Sequence, residues 1–326
     1  MSRPADPISA GRLITLAALG TLGTILMSIL PFSVGFLPGI VADPLNEAFP
    51  HLRSTAGRHT MRALGALGAV ALFWAWTGLR PSRLGRGRPR MQWLLLTLWG
   101  APTLLAPPLQ TADPWAYAAQ GWLLNQGRNP YAVPMGVPSP FSSGIFDSWL
   151  GTTTVYPPLS LYAQGFLVEL TGEHPYWSVV AMRVIPVVAL VIIAAVARPL
   201  ARDVGVCPDT AVWVALLNPL TITQYLGGAH NDALMSALVI LALWLARRPG
   251  GLWWSAITIG IAAGVKQPAA LAGLGVAIHA AWPAVKDSSR RWLALALRVA
   301  AAGTLGGGIF LAISYGSGLG LGWAND

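Results

Sequence analysis

The chain holds a single cysteine, Cys207, in 326 residues. That excludes an intramolecular disulfide framework and any thiolate metal cluster. Charge is also scarce: 10% of the residues are Asp, Glu, Lys or Arg, against about 25% in a soluble globular domain. Acids are the rarer sign, 12 against 21 Lys and Arg. What the sequence has in quantity is apolar, with 54% of residues hydrophobic and many of them in runs near the ~20 residues that cross a bilayer as helix. This composition predicts an all-α polytopic membrane protein. Its surplus of Lys and Arg is assigned to the lipid bilayer, with no nucleic acid as partner.

Apolar windows predict about nine spans, at residues 13–30, 63–79, 93–109, 177–197, 211–226 and 233–246, a hairpin over 252–282, and 292–315. Arg3 and Arg12 precede the first window, which no small-residue cleavage site closes, so it is read as a span. A shorter apolar stretch, 157–170, would invert everything after it if it crossed. With that stretch along the outer surface, fourteen basic residues fall inside, Arg3, Arg12, Arg80, Arg83, Arg86, Arg88, Arg90, Arg198, Arg202, Arg247, Arg248, Lys286, Arg290 and Arg291, and five outside, Arg53, Arg58, Arg62, Arg128 and Lys266. The positive-inside bias selects this arrangement. It puts the N-terminus in the cytoplasm of a multi-pass plasma-membrane protein. Eight of the twelve acids, Asp43, Asp113 and Asp326 among them, then lie outside, so the active face is expected to be extracytoplasmic. Residues 1–326 read as one integral membrane domain: three spans over 1–109, an extracytoplasmic loop over 110–176, and the remaining spans over 177–326. A loop of that length in a compact protein points to function.

Polar residues stand out at four places. Asp113 precedes Pro114, the favoured first residue of a helix, and is expected to be its N-cap. Tyr117 follows one turn later on the same face. A carboxylate there can equally take a proton from a sugar hydroxyl, with aromatic rings to hold the sugar. Late in the fifth window, Asn218-Pro219 leads to Gly227-Gly228, which break the helix, and to His230-Asn231-Asp232, which start the next. Two readings stand side by side: an N-capping Asn-Asp pair with a solvated histidine, or a His-Asp pair that tunes its own protonation or holds a hydroxyl.

Lys266 sits at the tip of the 252–282 hairpin. Each leg has roughly 15 residues and reaches about 23 Å, short of the ~30 Å hydrocarbon core. Lys266 is then held below the interface, where it either snorkels or faces a cavity. Arg183, inside the fourth window, has the same two readings. Both lack carboxylates in their own windows, which suggests an anionic guest such as phosphate. Tyr156-Pro157-Pro158 closes the large loop and fixes the start of a juxtamembrane helix.

Taken in order, Asp113-x-x-x-Tyr117, Gly127, Asn129-Pro130-Tyr131, Tyr156-Pro157-Pro158, Asn218-Pro219, His230-Asn231-Asp232 and Lys266 with Pro268 resemble the GT-C superfamily of glycosyltransferases. Within it they are most similar to the actinobacterial alpha-(1→6)-mannopyranosyltransferases that extend the mannan core of lipomannan and lipoarabinomannan. The resemblance covers nearly the whole chain and implies a GT-C-like bundle whose large outer loop carries juxtamembrane helices. It implies a polyprenyl-phosphate mannose donor, a mannan or lipoglycan acceptor, and inversion at the anomeric carbon by an Asp general base. That role falls on Asp113, with Asp43 as the competing base. Tyr117, Tyr131, Tyr156, Asn218, His230, Asn231, Asp232, Lys266 and Arg183 are the substrate-binding candidates, the last two against the leaving phosphate. No cofactor is certain; a divalent cation held by outer carboxylates is the one candidate, and no ligand spacing demands it. Family members run longer, so the resemblance implies a C-terminally truncated chain. Two other readings stay open: a multi-pass transporter and an inactive remnant of the enzyme.

Overall fold

The computed structural model describes residues 8–35, 37, 39–84 and 89–324. Arg3, Arg86 and Arg88 of the inner basic set, and Asp326 of the outer acids, lie outside them. Among the described residues the fold is all-helical. The helices are α1 Ala10–Ile29, α2 Pro31–Val34, α3 Gly39–Ala48, α4 Thr55–Gly78, α5 Pro81–Leu84, α6 Pro89–Leu104, α7 Asp113–Asn125 and α8 Pro158–Leu170. Then come α9 Pro175–Ala181, α10 Val184–Asp203, α11 Pro208–Ala215, a π-helical turn Thr221–Gly227, α12 Asp232–Leu245, α13 Gly251–Val265, α14 Ala269–Val285 and α15 Arg291–Gly316.

Fewer of these helices are long enough to span than the windows predict. Among the described residues three stretches are long and apolar enough to cross a membrane, Ala10–Val34, Pro175–Asp203 and Arg291–Gly316. A fourth is reached if the π-turn and α12, bent by 114°, count as one broken span. The physical causes are local. Pro219 separates α11 from the π-turn, and α6, α13 and α14 have 16, 15 and 17 residues. α4 has 24 residues but carries Arg58, His59 and Arg62 in its first third.

The lipid-facing character is nonetheless plain in the side chains. Val70, Trp74, Val191 and Leu271 are 64–82% exposed, an arrangement that water penalises and hydrocarbon does not. Two of the buried cores position the site. One joins α1, α4, α6, α10 and α12 around Leu72, Leu95, Trp99 and Ile193. The other joins α7, α8 and α9 to the large loop around Trp115, Tyr117, Phe141 and Val179.

Helix crossings are close. A Cβ on Gly23 of α1 would stand 2.6 Å from the Gly68 carbonyl oxygen of α4, the small-residue contact typical of helices packed in lipid. At the α7–α8 crossing a Cβ on Gly121 would stand 2.6 Å from both the Gln164 carbonyl carbon and the Gly165 nitrogen. Asn125 tightens the same crossing by donating to the Gly165 carbonyl at 2.9 Å. α8 starts at Pro158 with Pro157 as its N-cap, because a proline pair excludes helix before it and suits the first turn. The Gly121 and Asn125 contacts hold α7 against α8.

Candidate active site

Asp113 is the first residue of α7, and Ala112 is the N-cap, with no capping hydrogen bond from its side chain. The expected aspartate cap is therefore corrected: the helix opens one residue earlier. Thr111 takes over the local turn. Its hydroxyl accepts the Asp113 N–H at 3.1 Å and donates to Asp113 Oδ1 at 2.8 Å. Freed from capping, the other oxygen, Oδ2, accepts from the Tyr117 hydroxyl at 3.1 Å and from His230 Nδ1 at 2.9 Å.

His230 reaches Asp113 because two loops are tied together. The Leu109 N–H donates to the Gly227 carbonyl at 3.0 Å, and Gln224 Nε2 donates to Gln110 Oε1 at 3.1 Å. Just before each functional residue the chain passes through a left-handed non-glycine, Gln110 at φ 59° and Ala229 at φ 52°. Such residues cost about 1–3 kcal/mol each and gather where function requires the geometry. The His-Asp reading within 230–232 is thereby corrected: His230 pairs with Asp113, and Asp232 pairs with Lys266 at 2.7 Å. Lys266 is therefore matched by a carboxylate, and His230, with 21% of its side chain exposed, is held in the network and not solvated.

The network continues from Tyr117. Its hydroxyl lies 3.3 Å from that of Tyr156, and the rings meet edge to face at 5.4 Å. Tyr131 donates its hydroxyl to the Tyr156 carbonyl at 2.8 Å. Lys266 Nζ stands 5.7 Å from the Tyr156 ring centre, within the range of a cation–π contact. Seven of the ten sequence-predicted residues thus form one connected set: Asp113, Tyr117, Tyr131, Tyr156, His230, Asp232 and Lys266. The other three serve the backbone or stand unpaired beside it. Asn218 accepts the N–H groups of Leu220 and Thr221 and donates to the Val214 carbonyl, bracing the turn at Pro219. Arg183, 3% exposed, donates to the same Gly227 carbonyl that Leu109 uses, at 3.1 Å. Asn231 is fully buried at the N-cap position of α12 without a capping bond. Its amide atoms have no partner among the described residues.

Electrostatics favour an ionised Asp113. Burial works against its charge, but hydrogen bonds from His230, Thr111 and Tyr117, with the electrostatic influence of His230, outweigh it and hold the carboxyl below its ordinary 3.8. Burial pushes the Tyr117 phenol well above its ordinary range, and the adjacent Tyr156 and Asp113 add to this. Tyr156 is raised by burial too, while the Tyr117 hydrogen bond and the Lys266 charge pull the other way. At neutral pH the site therefore presents a carboxylate acceptor and two phenolic donors.

Asp113, Tyr117 and Gln120 of α7, with Trp149, Thr152 and Tyr156 of the large loop, line a cavity of about 710 Å³, a size within the range of ligand clefts. A smaller groove of about 370 Å³ between α13, α14 and α15 is lined mostly by apolar and small residues, with Gln267, and has no titratable group. No cluster of three or more His, Cys, Asp or Glu side chains is found among the described residues. The two carboxylates of the network are already engaged, Asp113 by His230 and Asp232 by Lys266, and do not converge into the oxygen cage a divalent ion takes.

Residues 17–282 match the family model described as the N-terminal domain of alpha-(1→6)-mannopyranosyltransferase. The chain belongs to this family. A probable alpha-(1→6)-mannopyranosyltransferase of Mycolicibacterium smegmatis is 29% identical over 93% of this chain and 59% of its own length. Alpha-(1→6)-mannopyranosyltransferase A of Mycobacterium tuberculosis is 30% identical over 71% of this chain and 45% of its own. The Corynebacterium glutamicum protein of the same name is 28% identical over 69% and 48%. The chain spans about half the length of the curated relatives it matches. No solved structure matches it. Within this chain the residue that sequence reasoning passed over is Thr111. Its signal was a hydroxyl two positions before an aspartate, the spacing of a side-chain turn.

Proposed function

We propose that the protein transfers mannose from a polyprenyl-phosphate donor to a mannan or lipoglycan acceptor at the outer face of the membrane, with inversion. The observation that carries this reading is the placement of the Asp113 carboxyl at the wall of the 710 Å³ cavity, aligned by Thr111, Tyr117 and His230, whose hydrogen bonds favour its ionised form. A carboxylate so placed takes the proton of an acceptor hydroxyl as its oxygen bonds to the anomeric carbon. The bond from that carbon to the phosphate oxygen breaks on the opposite face, and the phosphate leaves with the electron pair. One displacement needs one base and no covalent sugar intermediate. A positioned base contributes about 10²–10⁴-fold.

Lys266 is the cation for the departing phosphate. It is paired with Asp232, yet its side chain is 23% exposed and that of Asp232 40%, so a phosphate can compete for the ammonium. Arg183, buried against the Gly227 carbonyl, is better suited to holding the loop that carries His230. Trp149 and the tyrosines supply aromatic faces for a sugar ring. The test is labelled polyprenyl-phosphate mannose supplied to membranes containing the chain, with a mannan oligosaccharide as acceptor. An alpha-linked product absent in Asp113→Asn is expected; an unchanged yield in that variant defeats the reading.

A further inference from the structure

At the opposite ends of the α12–α15 helices from Lys266 lies a second polar cavity. It measures about 240 Å³ and is lined by Asp203, Ala246, Arg247, Arg248, His279 and Pro283. Asp203 ends α10, the two arginines stand in the turn from α12 to α13, and His279 is in the second half of α14. Arg247 donates to the Asp203 carbonyl at 2.6 Å and lies 3.3 Å from His279 Nε2. Arg248 Nη2 contacts Asp203 Oδ2 at 2.9 Å, while its Nε has no hydrogen-bond partner among the described residues. Two guanidinium groups therefore share one carboxylate, leaving the pocket with a net positive charge.

Its depth is marked by tryptophan. Trp253 and Trp254 stand near the start of α13, Trp282 near the end of α14 and Trp292 at the start of α15. Because these helices pack as neighbours joined by short turns, all four rings lie at one end of the bundle, and they are 37–65% exposed. Trp282 and Trp292 touch, with ring centres 5.7 Å apart. Exposed tryptophans at helix ends mark the headgroup level of a bilayer. Arg248 lies over Trp244 at 4.6 Å, which holds its guanidinium at that level.

We propose that this pocket binds the phosphate group of an anionic phospholipid headgroup. Guanidinium forks match phosphate oxygens, and basic pockets between helices at this depth take lipid phosphates. The inference needs only that the chain lies in a membrane. It is independent of the assignment of Asp113.

The full chain, purified in detergent, is titrated with phosphatidylglycerol or phosphatidylcholine, and retained lipid is read by native mass spectrometry. Phosphatidylglycerol is expected to bind more tightly, with Arg247→Gln weakening it about tenfold. Arg290→Gln, the same charge change outside the pocket, should leave it unaltered. Asp203→Asn, which removes the competing carboxylate, should strengthen binding and decides the matter if Arg247→Gln fails to fold. Equal retention of the two lipids, or equal weakening by Arg290→Gln, overturns the proposal. Competition by glycerol 3-phosphate at the lipid's own concentration overturns the lipid as source.

Discussion

Gly121→Ala is a one-carbon change whose effect follows from the α7–α8 crossing. The added Cβ would sit 2.6 Å from the Gln164 carbonyl carbon and Gly165 nitrogen, where ordinary contact begins at 3.4 Å. Both obstacles are backbone, so no side chain can rotate away and the helices must part by the difference, about 0.8 Å. Forcing a methyl into a packed contact costs about 1–3 kcal/mol. One turn away, Tyr117 holds Tyr156 through hydroxyls already 3.3 Å apart. A shift of that size carries them out of hydrogen-bond range. Misplacement near 1 Å costs up to about 10²-fold in rate, so mannose transfer should fall at least about tenfold beyond any loss of folded protein. Thermal unfolding and the transfer rate per folded molecule are the readouts. Gly303→Ala on α15, where a Cβ meets nothing within 4 Å, is the control and should be neutral. A Gly121→Ala protein with unchanged melting temperature and unchanged transfer would refute this account of how α7 is positioned.

Three more outcomes follow from the network. Because Asp113 is held below its ordinary 3.8 in the folded state, its contribution to stability is present above that value and is lost as pH falls through the folded pKa. The melting-temperature gap between the wild type and Asp113→Asn should therefore shrink when the pH drops below 3.8, and a gap that widens contradicts the assignment. Lys266→Gln breaks a partly exposed ion pair worth about 0–1 kcal/mol. Its melting temperature should barely move, while KM for the polyprenyl-phosphate donor rises about tenfold; unchanged KM removes Lys266 from phosphate binding. His230→Ala deprives Asp113 Oδ2 of its contact with the imidazole Nδ1 at 2.9 Å. Transfer should drop about tenfold or more, and full activity in this variant would reduce His230 to a packing residue.

Much of the helical framework is legible along the chain. Paired prolines at 157–158 set the start of α8, Gly227-Gly228 mark the bend before α12, and Lys266-Gln267-Pro268 separate α13 from α14. Short-range spacing also reveals part of the site: Asp113 and Tyr117, four apart on one helix, do hydrogen-bond. The span count is less legible, because window averages run through Pro219 and through the charged first third of α4. Partner choice is not legible at all. His230 and Lys266 find carboxylates 117 and 34 residues away, and adjacency made His230 and Asp232 look like a pair. What decides it is the Leu109–Gly227 tie and the turns at Gln110 and Ala229, where left-handed backbone falls on residues that do not advertise it. The aspartate cap failed for a related reason: Thr111 supplies the turn and holds Oδ1, which leaves Oδ2 for Tyr117 and His230.

The most direct measurement compares mannose transfer by Asp113→Asn and Asp43→Asn at matched expression, using polyprenyl-phosphate mannose as donor. Asp113 is bonded to Thr111, Tyr117 and His230 beside the cavity, whereas Asp43 stands on α3 and does not line that cavity. Loss of transfer by about 10²–10⁴-fold in the first variant alone is the predicted result. Loss in the second, with the first still active, would contradict it.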